Sequence, residues 1–409
     1  ARVVCLLNML LGTYGAEGGA LMPFDFSDAA FDAVMPPVAD GEEGLDRAFP
    51  VVEFPLGRPF GASAAGLLEL TKTPAVRALV LVESDVAYDY APIKDLAEAL
   101  EGLDLLVAVT QQMTQTAQLA DYVLPVCPYL ESASLPTFNQ GMTASVSIAN
   151  PVLSNPDANA WPVDQIIAGL AEACGVGDAF DFTLEEAAAA QLEAAGIALD
   201  GLQQDGTSAV GKVRRVSTWP TPTGKIQCAS AACEEAGLSA VPTWVPPLES
   251  SNIRAVISAD MNEGQANLGS IVLEGGASEP MRVRLISGQQ PVLGTHGYNV
   301  AELVDIADTY GLDGAWVNVQ VAEALGIQTG DMLALSNDNA SCTAKAFVTQ
   351  RIVPTAVYLP SGFGHTSDKQ REACGNGFNP ALFSDAVVEA GYGTLCTQEA
   401  CVTLEKVGE

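Results

Sequence analysis

Three short apolar runs constrain this chain more than any other feature: Ala78–Val82, Leu105–Val109 and Tyr122–Leu124. Each has strand length, and polar turns and helical segments separate them. Glu83-Ser84-Asp85 follows the first run. Pro92 then opens a predicted helix whose apolar residues Ile93, Leu96, Ala97 and Leu100 recur at helical spacing, with Gly102 ending it. The second run leads into the polar loop Thr110–Thr114 and a short helix, and Pro125 stops the third run. Such strand–helix–strand repetition predicts parallel strands with right-handed crossovers. Ligands on parallel sheets sit beyond the carboxyl ends of the strands. The loops Glu83–Tyr88 and Thr110–Thr116 are therefore the candidate binding loops.

Beyond this α/β segment, apolar spacing predicts a helix over Val163–Cys174, closed by Gly175. Thr183 and Glu186 match a capping box at the start of another. Residues 200–250 are rich in Pro and Gly with little periodicity and read as a connector. From about residue 281 the texture becomes β. Met281, Val283 and Leu285 alternate with Arg282 and Arg284, and further strands are expected at Met332–Ser336, Cys342–Thr349 and Ala356–Leu359, the last ended by Pro360. A short helix at Asn318–Leu325 precedes the turn Gly326–Asp331. This spacing predicts a compact β-barrel. The expected division is an α/β domain over 1–150, a helical segment and connector over 151–250, and a barrel domain over 251–409.

Composition narrows the partners. A chain of 409 residues is long for one core, and two or three units are expected. Its 48% hydrophobic residues include no run near the roughly 18–20 residues of a membrane span. Residues Ala1–Leu11 are apolar but lack the basic start and cleavage site of a secretory signal. With 18 Lys+Arg against 50 Asp+Glu, the formal net charge is −32, which repels nucleic acid. A phosphate-bearing ligand must then be held by backbone N–H groups and a few local cations. The nine cysteines show no C-x-x-C and no zinc or iron–sulfur spacing. Cys396 and Cys401 are near enough in sequence to pair in an exported protein.

No nucleophile elbow, P-loop or G-x-G-x-x-G stands out. The only histidines, His296 and His365, both sit in glycine-bounded loops, Gly294-Thr295-His296-Gly297 and Gly362-Phe363-Gly364-His365. Glycine there lets backbone approach a ligand closely. Both loops follow expected strands, so they can meet on one rim.

Thr114-Gln115-Thr116-Ala117, Ala120-Asp121 and Val123-Leu124-Pro125, followed by Leu130-Glu131, resemble a block of the dimethyl sulfoxide reductase family of molybdenum and tungsten enzymes. Further blocks follow in the family's order. Asn139-Gln140-Gly141 resembles its "N-x-G-R" loop, and Thr221-Pro222-Thr223-Gly224-Lys225-Ile226 its "TPSGKIE" connector. Leu285-Ile286-Ser287-Gly288-Gln289 resembles "LITGR", and Ala322–Ile327 with Gly330-Asp331 resembles "A-x-x-LGI-x-x-GD". Leu11-Gly12 with Gly18-Gly19 resembles the "LG … GG" segment. Together they span nearly the whole chain.

The resemblance implies a Rossmann-like α/β domain plus a C-terminal double-psi β-barrel, binding part of a bis-(molybdopterin guanine dinucleotide) with molybdenum or tungsten. Glu83, Ser84 and Asp85 match the loop that binds the guanosine of one cofactor arm. Thr110 and Gln111 lie on the neighbouring loop, where an Asp is usual, and Thr114 and Asp121 belong to the first block. Gly288, Gln289, Thr295, His296 and Asn299 match the barrel loop at the pterin. Gln289 stands where Arg is common. His365 and Asn379 match late-barrel loops near the pterin.

The likeness is greatest to polysulfide, thiosulfate, tetrathionate and arsenate reductases and catechol dehydroxylases. It implies removal of oxygen or hydroxyl from a small-molecule substrate in anaerobic metabolism. An iron–sulfur electron-transfer subunit and a 4Fe–4S centre are implied outside these residues, as is export by a twin-arginine signal, with a cytoplasmic enzyme as the alternative. Nothing here resembles the segment carrying the metal ligand, so the chain by itself is expected to be inactive. Two other readings remain: a formate-dehydrogenase-like enzyme, or a non-catalytic scaffold homologue without molybdenum.

Overall fold

A computed structural model of the protein describes residues 2–20, 66–67, 72, 76–139, 143–154, 159–193, 197–212, 219, 221, 223–249, 254–260, 267–274, 281–290, 293, 297–391 and 393–408. The described residues form two compact units. One takes in 2–20, 109–111 and 123–243, and the other 76–108, 112–122 and 244–408. The loop after the first apolar run and residues 112–122 after the second belong to the same unit as the barrel, while Thr110 and Gln111 belong to the other.

All three apolar runs are strands of one sheet: β1 (Ala78–Val82), β2 (Leu105–Thr110) and β3 (Tyr122–Pro125), in that order. The Asp121 N–H donates to Leu106 O and the Val126 N–H to Thr110 O, so β2 and β3 run parallel, as the crossover pattern predicts. Val107, Ala108 and Val109 on the central strand are buried. Between β1 and β2 lie α1 (Val86–Asp89) and α2 (Leu96–Glu101). The second helix starts later than Pro92 predicts: Asp95 takes a left-handed φ of 65° at its N-cap, and residues before it form turns. Ile93, Leu96 and Leu100 are buried as expected, while Ala97 is exposed. Helix α3 (Gln115–Leu119) joins β2 to β3.

The first unit holds an antiparallel sheet of β4 (Thr137–Asn139), β5 (Thr143–Ser147) and β6 (Thr207–Lys212). The last strand lies in the stretch expected to be connector. Helix α4 (Val163–Ala173) ends at a left-handed Gly175 with φ 78°. The capping box forms: Thr183 N–H and Oγ1 reach Glu186 Oε2 at 2.8 and 3.0 Å, and the Glu186 N–H donates to Thr183 Oγ1 at 3.2 Å. It opens α5 (Leu184–Glu193), whose Leu192 packs with Val146 and with Leu202 of α6 (Leu199–Asp205).

The second unit carries the β7 (Arg254–Asp260) and β8 (Asn267–Glu274) hairpin and a closed six-stranded barrel. Its strands are β9 (Met281–Gln289), β10 (Ala315–Asn318), β11 (Met332–Ser336), β12 (Ser341–Thr349), β13 (Ala356–Ser361) and β14 (Cys401–Lys406). The pairings are parallel for β9/β13 and β10/β12, and antiparallel for β11/β12, β9/β14, β10/β13 and β11/β14. Exchanging β9, β10, β11 with β12, β13, β14 maps this set onto itself. The barrel is thus two interleaved three-strand halves related by a pseudo-two-fold, the connectivity of a double-psi barrel. Alternation fills its interior with Val283, Leu285, Leu333, Leu335, Val357 and Leu404, all buried.

Two expectations in this region are corrected. Pro360 does not end β13: the strand runs to Ser361, with Pro360 opposite Gly288. The β10 partner reaches only Val357 and Tyr358, so on that side of Pro360 no strand requires the missing N–H. Cys396 and Cys401 are not paired; each of the nine cysteines is a free thiol. No helix among the described residues is long and apolar enough to cross a membrane.

Candidate cofactor site

The β1 strand ends at Glu83, which takes a φ of 50°, uncommon outside glycine, and turns the chain sharply. The turn directs Asp85 toward the next loop. Asp85 Oδ1 accepts from the Thr116 N–H at 3.0 Å and from Thr116 Oγ1 at 2.7 Å, while Thr116 Oγ1 accepts from the Ala87 N–H at 2.9 Å. The two candidate loops are therefore welded through a fully buried threonine. Asp85 Oδ2 is enclosed and has no hydrogen-bond partner among the described residues.

Tyr88 carries the β1 loop into the barrel. Its hydroxyl donates to Phe363 O at 2.8 Å and accepts from the Gly362 N–H at 3.0 Å; its carbonyl accepts from Asn379 Nδ2 at 2.9 Å. Gly364 has a φ of 79°, and a Cβ there would lie 2.2 Å from Asn379 N, so this crossing admits only glycine. Ser367 Oγ donates to Met113 O, and Gln118 donates to Asp368 at 2.8 Å, fastening the barrel loop to the segment after β2.

His365 lies at the centre of these contacts. It is 1% exposed, and its ring is stacked between Tyr88 at 4.0 Å and Tyr298 at 4.1 Å. Neither ring nitrogen meets a described partner in hydrogen-bonding geometry. The Gly362 backbone approaches only closely enough to offset part of the burial. Burial pushes the imidazole down to about 4, with the Asp85 charge opposing, so it is neutral at pH 7. Burial also drives the Tyr88 phenol far above its ordinary range and the Tyr298 phenol up to about 12. A buried neutral imidazole leaves one N–H donor and one acceptor nitrogen unmatched, at a cost of about 1–3 kcal/mol each unless something occupies them. Among the described residues only the Gly362 backbone comes near either of them.

The other expected residues fall in different places. Asn299 Oδ1 accepts from the Glu372 N–H at 3.2 Å and its Nδ2 reaches Gln112 at 3.4 Å, within the same cluster. Asn379 caps the turn that follows it and clamps Tyr88. Gly288 O accepts the Tyr358 hydroxyl at 2.7 Å. Gln289 is exposed at the end of β9, while its neighbour Gln290 is buried and donates to Tyr358 at 3.1 Å. Thr114 caps α3 through the Ala117 N–H. Asp121 lies at the opposite edge of the sheet, its carboxylate accepting from the Leu106 N–H at 2.8 Å. Ser84 and Thr110 are half-buried and Gln111 is exposed. Thr295 and His296 lie outside the described residues. Sequence reasoning missed Tyr88, Thr116, Tyr298 and Gln370. No periodicity distinguishes them, and only their nearness to glycine loops and strand ends could have signalled them.

The donor set suits a planar nitrogen heterocycle better than a metal ion. No group of three or more His, Cys, Asp or Glu among the described residues is placed to hold a metal. A profile described as the molydopterin dinucleotide binding domain matches residues 283–385, which include most of β9, most of the barrel and the whole His365 loop. The thiosulfate reductase molybdopterin-containing subunit of Salmonella typhimurium is 23% identical, over 99% of this chain and 55% of its own length. An F420-dependent formate dehydrogenase alpha subunit of Methanococcus maripaludis is 24% identical, over 88% and 50%. The assimilatory nitrate reductase catalytic subunit of Bacillus subtilis is 28% identical over 46% of this chain and 27% of its own. The chain thus spans about half the length of the first two of these relatives. Among solved structures, acetylene hydratase from Pelobacter acetylenicus superposes with a TM-score of 0.62 at 19% identity, over 84% of this chain and 46% of that one, a likeness of fold. With the barrel topology, residues 283–385 match a molydopterin dinucleotide binding domain, and over most of its length the chain is similar to molybdopterin-dependent oxidoreductase subunits.

Proposed function

We propose that this chain is the cofactor-gripping portion of a bis-(molybdopterin guanine dinucleotide) oxidoreductase catalytic subunit, a reductase that removes oxygen or hydroxyl from a small substrate. The observation that carries this reading is His365: buried, neutral, held between two tyrosine rings inside the matched domain, and with no partner in good hydrogen-bonding geometry among the described residues beyond the nearby Gly362 backbone. The group supplies two-electron redox chemistry at its molybdenum or tungsten when bound. The chain's own residues hold and orient it. His365 offers one N–H and one acceptor nitrogen, and Asp85 Oδ2 offers an acceptor to an N–H edge. The Tyr88 and Tyr298 rings fix the imidazole plane and keep water from it. Gln289 and Thr110 provide neither a cation nor a carboxylate, so phosphates rest on backbone N–H groups. In this reading the three-stranded sheet is part of a Rossmann-like domain.

The substrate-reducing direction rests on the likeness to the thiosulfate reductase subunit over nearly the whole chain. Delivery of electrons by an iron–sulfur subunit, a 4Fe–4S centre elsewhere in the full protein, a setting in anaerobic metabolism and twin-arginine export belong to the same proposal. One formate dehydrogenase alpha subunit matches over 88% of the chain and supports a second reading, the same cofactor run in the oxidising direction. Metal analysis of the full-length protein, with guanine released by acid hydrolysis, tests the core of the proposal. Molybdenum or tungsten with guanine is expected; the absence of both would sink it.

A further inference from the structure

Gln370 has been given no role so far, yet it is 1% exposed and its Oε1 has no hydrogen-bond partner among the described residues. Its orientation follows from a chain of hydrogen bonds that begins at a group whose role is certain. The Glu372 backbone N–H can only donate, so the Asn299 oxygen that meets it is Oδ1 and the Asn299 amide nitrogen faces away. That nitrogen reaches Gln112 at 3.4 Å, which makes the facing Gln112 atom Oε1. Gln112 Oε1 in turn meets Gln370 at 3.0 Å, so Gln370 presents Nε2 to it. The Gln370 oxygen is thereby turned to the other side, buried and unpaired. Flipping it to relieve the orphan would set two carbonyl oxygens against each other. The amide also hydrogen-bonds the Tyr298 phenol, whose ring covers His365.

We infer that Gln370 is a specificity-determining residue of the proposed cofactor site, its fixed carbonyl accepting an N–H from the bound heterocycle beside His365. The inference rests on the cofactor reading above. An unpaired buried amide oxygen is costly, and a preset acceptor in a rigid mount favours a ligand that donates there over one that does not. Asn299, Gln112 and Gln370 join the loop after β2 to two barrel loops, so the acceptor is placed by three separate segments of chain. This makes Gln112 a positioning residue, acting through Gln370.

Two variants of the full-length holoenzyme test the assignment. Gln370→Met keeps the volume and removes the acceptor; Gln112→Met removes the clamp and leaves the acceptor in place. Guanine and metal retained per chain after prolonged dialysis are measured, together with the melting temperature of each cofactor-stripped protein. The assignment predicts about a 3- to 10-fold loss of retained cofactor in Gln370→Met, a smaller loss in Gln112→Met, and similar stripped-protein melting for both. Equal retention in the two variants, or losses that follow melting temperature, would overturn it. So would a holoenzyme structure in which a water molecule is the sole partner of Gln370 Oε1. Wild-type protein without guanine and metal would instead strike down the cofactor reading, and this assignment with it.

Discussion

The barrel and the strand-end loops beside it are held together by opposite means. The barrel closes on itself, hides its ladder edges and fills its interior with apolar side chains, Leu333, Leu335, Leu404 and Val402 among the most buried. The loops add polar clasps to small apolar contacts such as Val86 and Phe363: Asp85 on Thr116, Tyr88 on Gly362 and Phe363, Asn379 on Tyr88. Packing of the first kind is non-directional and robust. Clasps of the second kind set side chains within tenths of an ångström but tolerate little chemical change. The contrast suits a scaffold that must be stable and a site that must be exact in geometry.

The strongest way to break this contrast is in the barrel. Leu335→Ala should cost about 2–5 kcal/mol in chemical denaturation, since the side chain is fully enclosed. A loss below 1 kcal/mol would mean the barrel is not the stable element.

Acidification probes the loops next. His365 has a folded-state value near 4 against 6.5 for the free side chain, so the unfolded chain binds the proton first as pH falls. Stability from this residue is full above pH 6.5, falls as pH drops from 6.5 to about 4, and levels below that. The total is about 3 kcal/mol at most. Wild type should therefore lose stability relative to His365→Phe across this window; a difference that does not change with pH would contradict a buried neutral imidazole.

Tyr88→Phe should cost about 1–3 kcal/mol, because it removes a donor to Phe363 O and leaves the Gly362 N–H unpaired. Amide exchange at Gly362 should quicken while that of β11 and β12 stays unchanged. Loss of protection throughout the barrel would show that the clasps and the core are one cooperative element.

The smallest effect lies in the other unit. Thr183→Ala opens the capping box and should lower stability by about 1 kcal/mol, with no change in the His365 titration.

How much of this was legible beforehand follows the same division. Alternation exposed β9, and short apolar runs bounded by turn residues exposed β1 to β3 and β11 to β13, because apolar burial leaves a trace along the chain. Neither signal marked β4 to β8, nor β10 and β14, short strands whose residues are buried with little alternation. The capping box was readable because its partners are three residues apart. Pro360 misled because its effect depends on which side of the strand has a neighbour. The site was harder. Glycine-bounded loops drew attention to His365, and strand ends to Asp85. Tyr88 and Gln370 act on partners more than 250 positions away, and such pairings leave no local pattern.

The most direct test of the central claim is a density map of the full-length enzyme as purified, read at His365. The account predicts an organic heterocycle within hydrogen-bonding distance of an imidazole nitrogen, with the ring still between Tyr88 and Tyr298. Ordered water or protein atoms as the only partners of both nitrogens would contradict it.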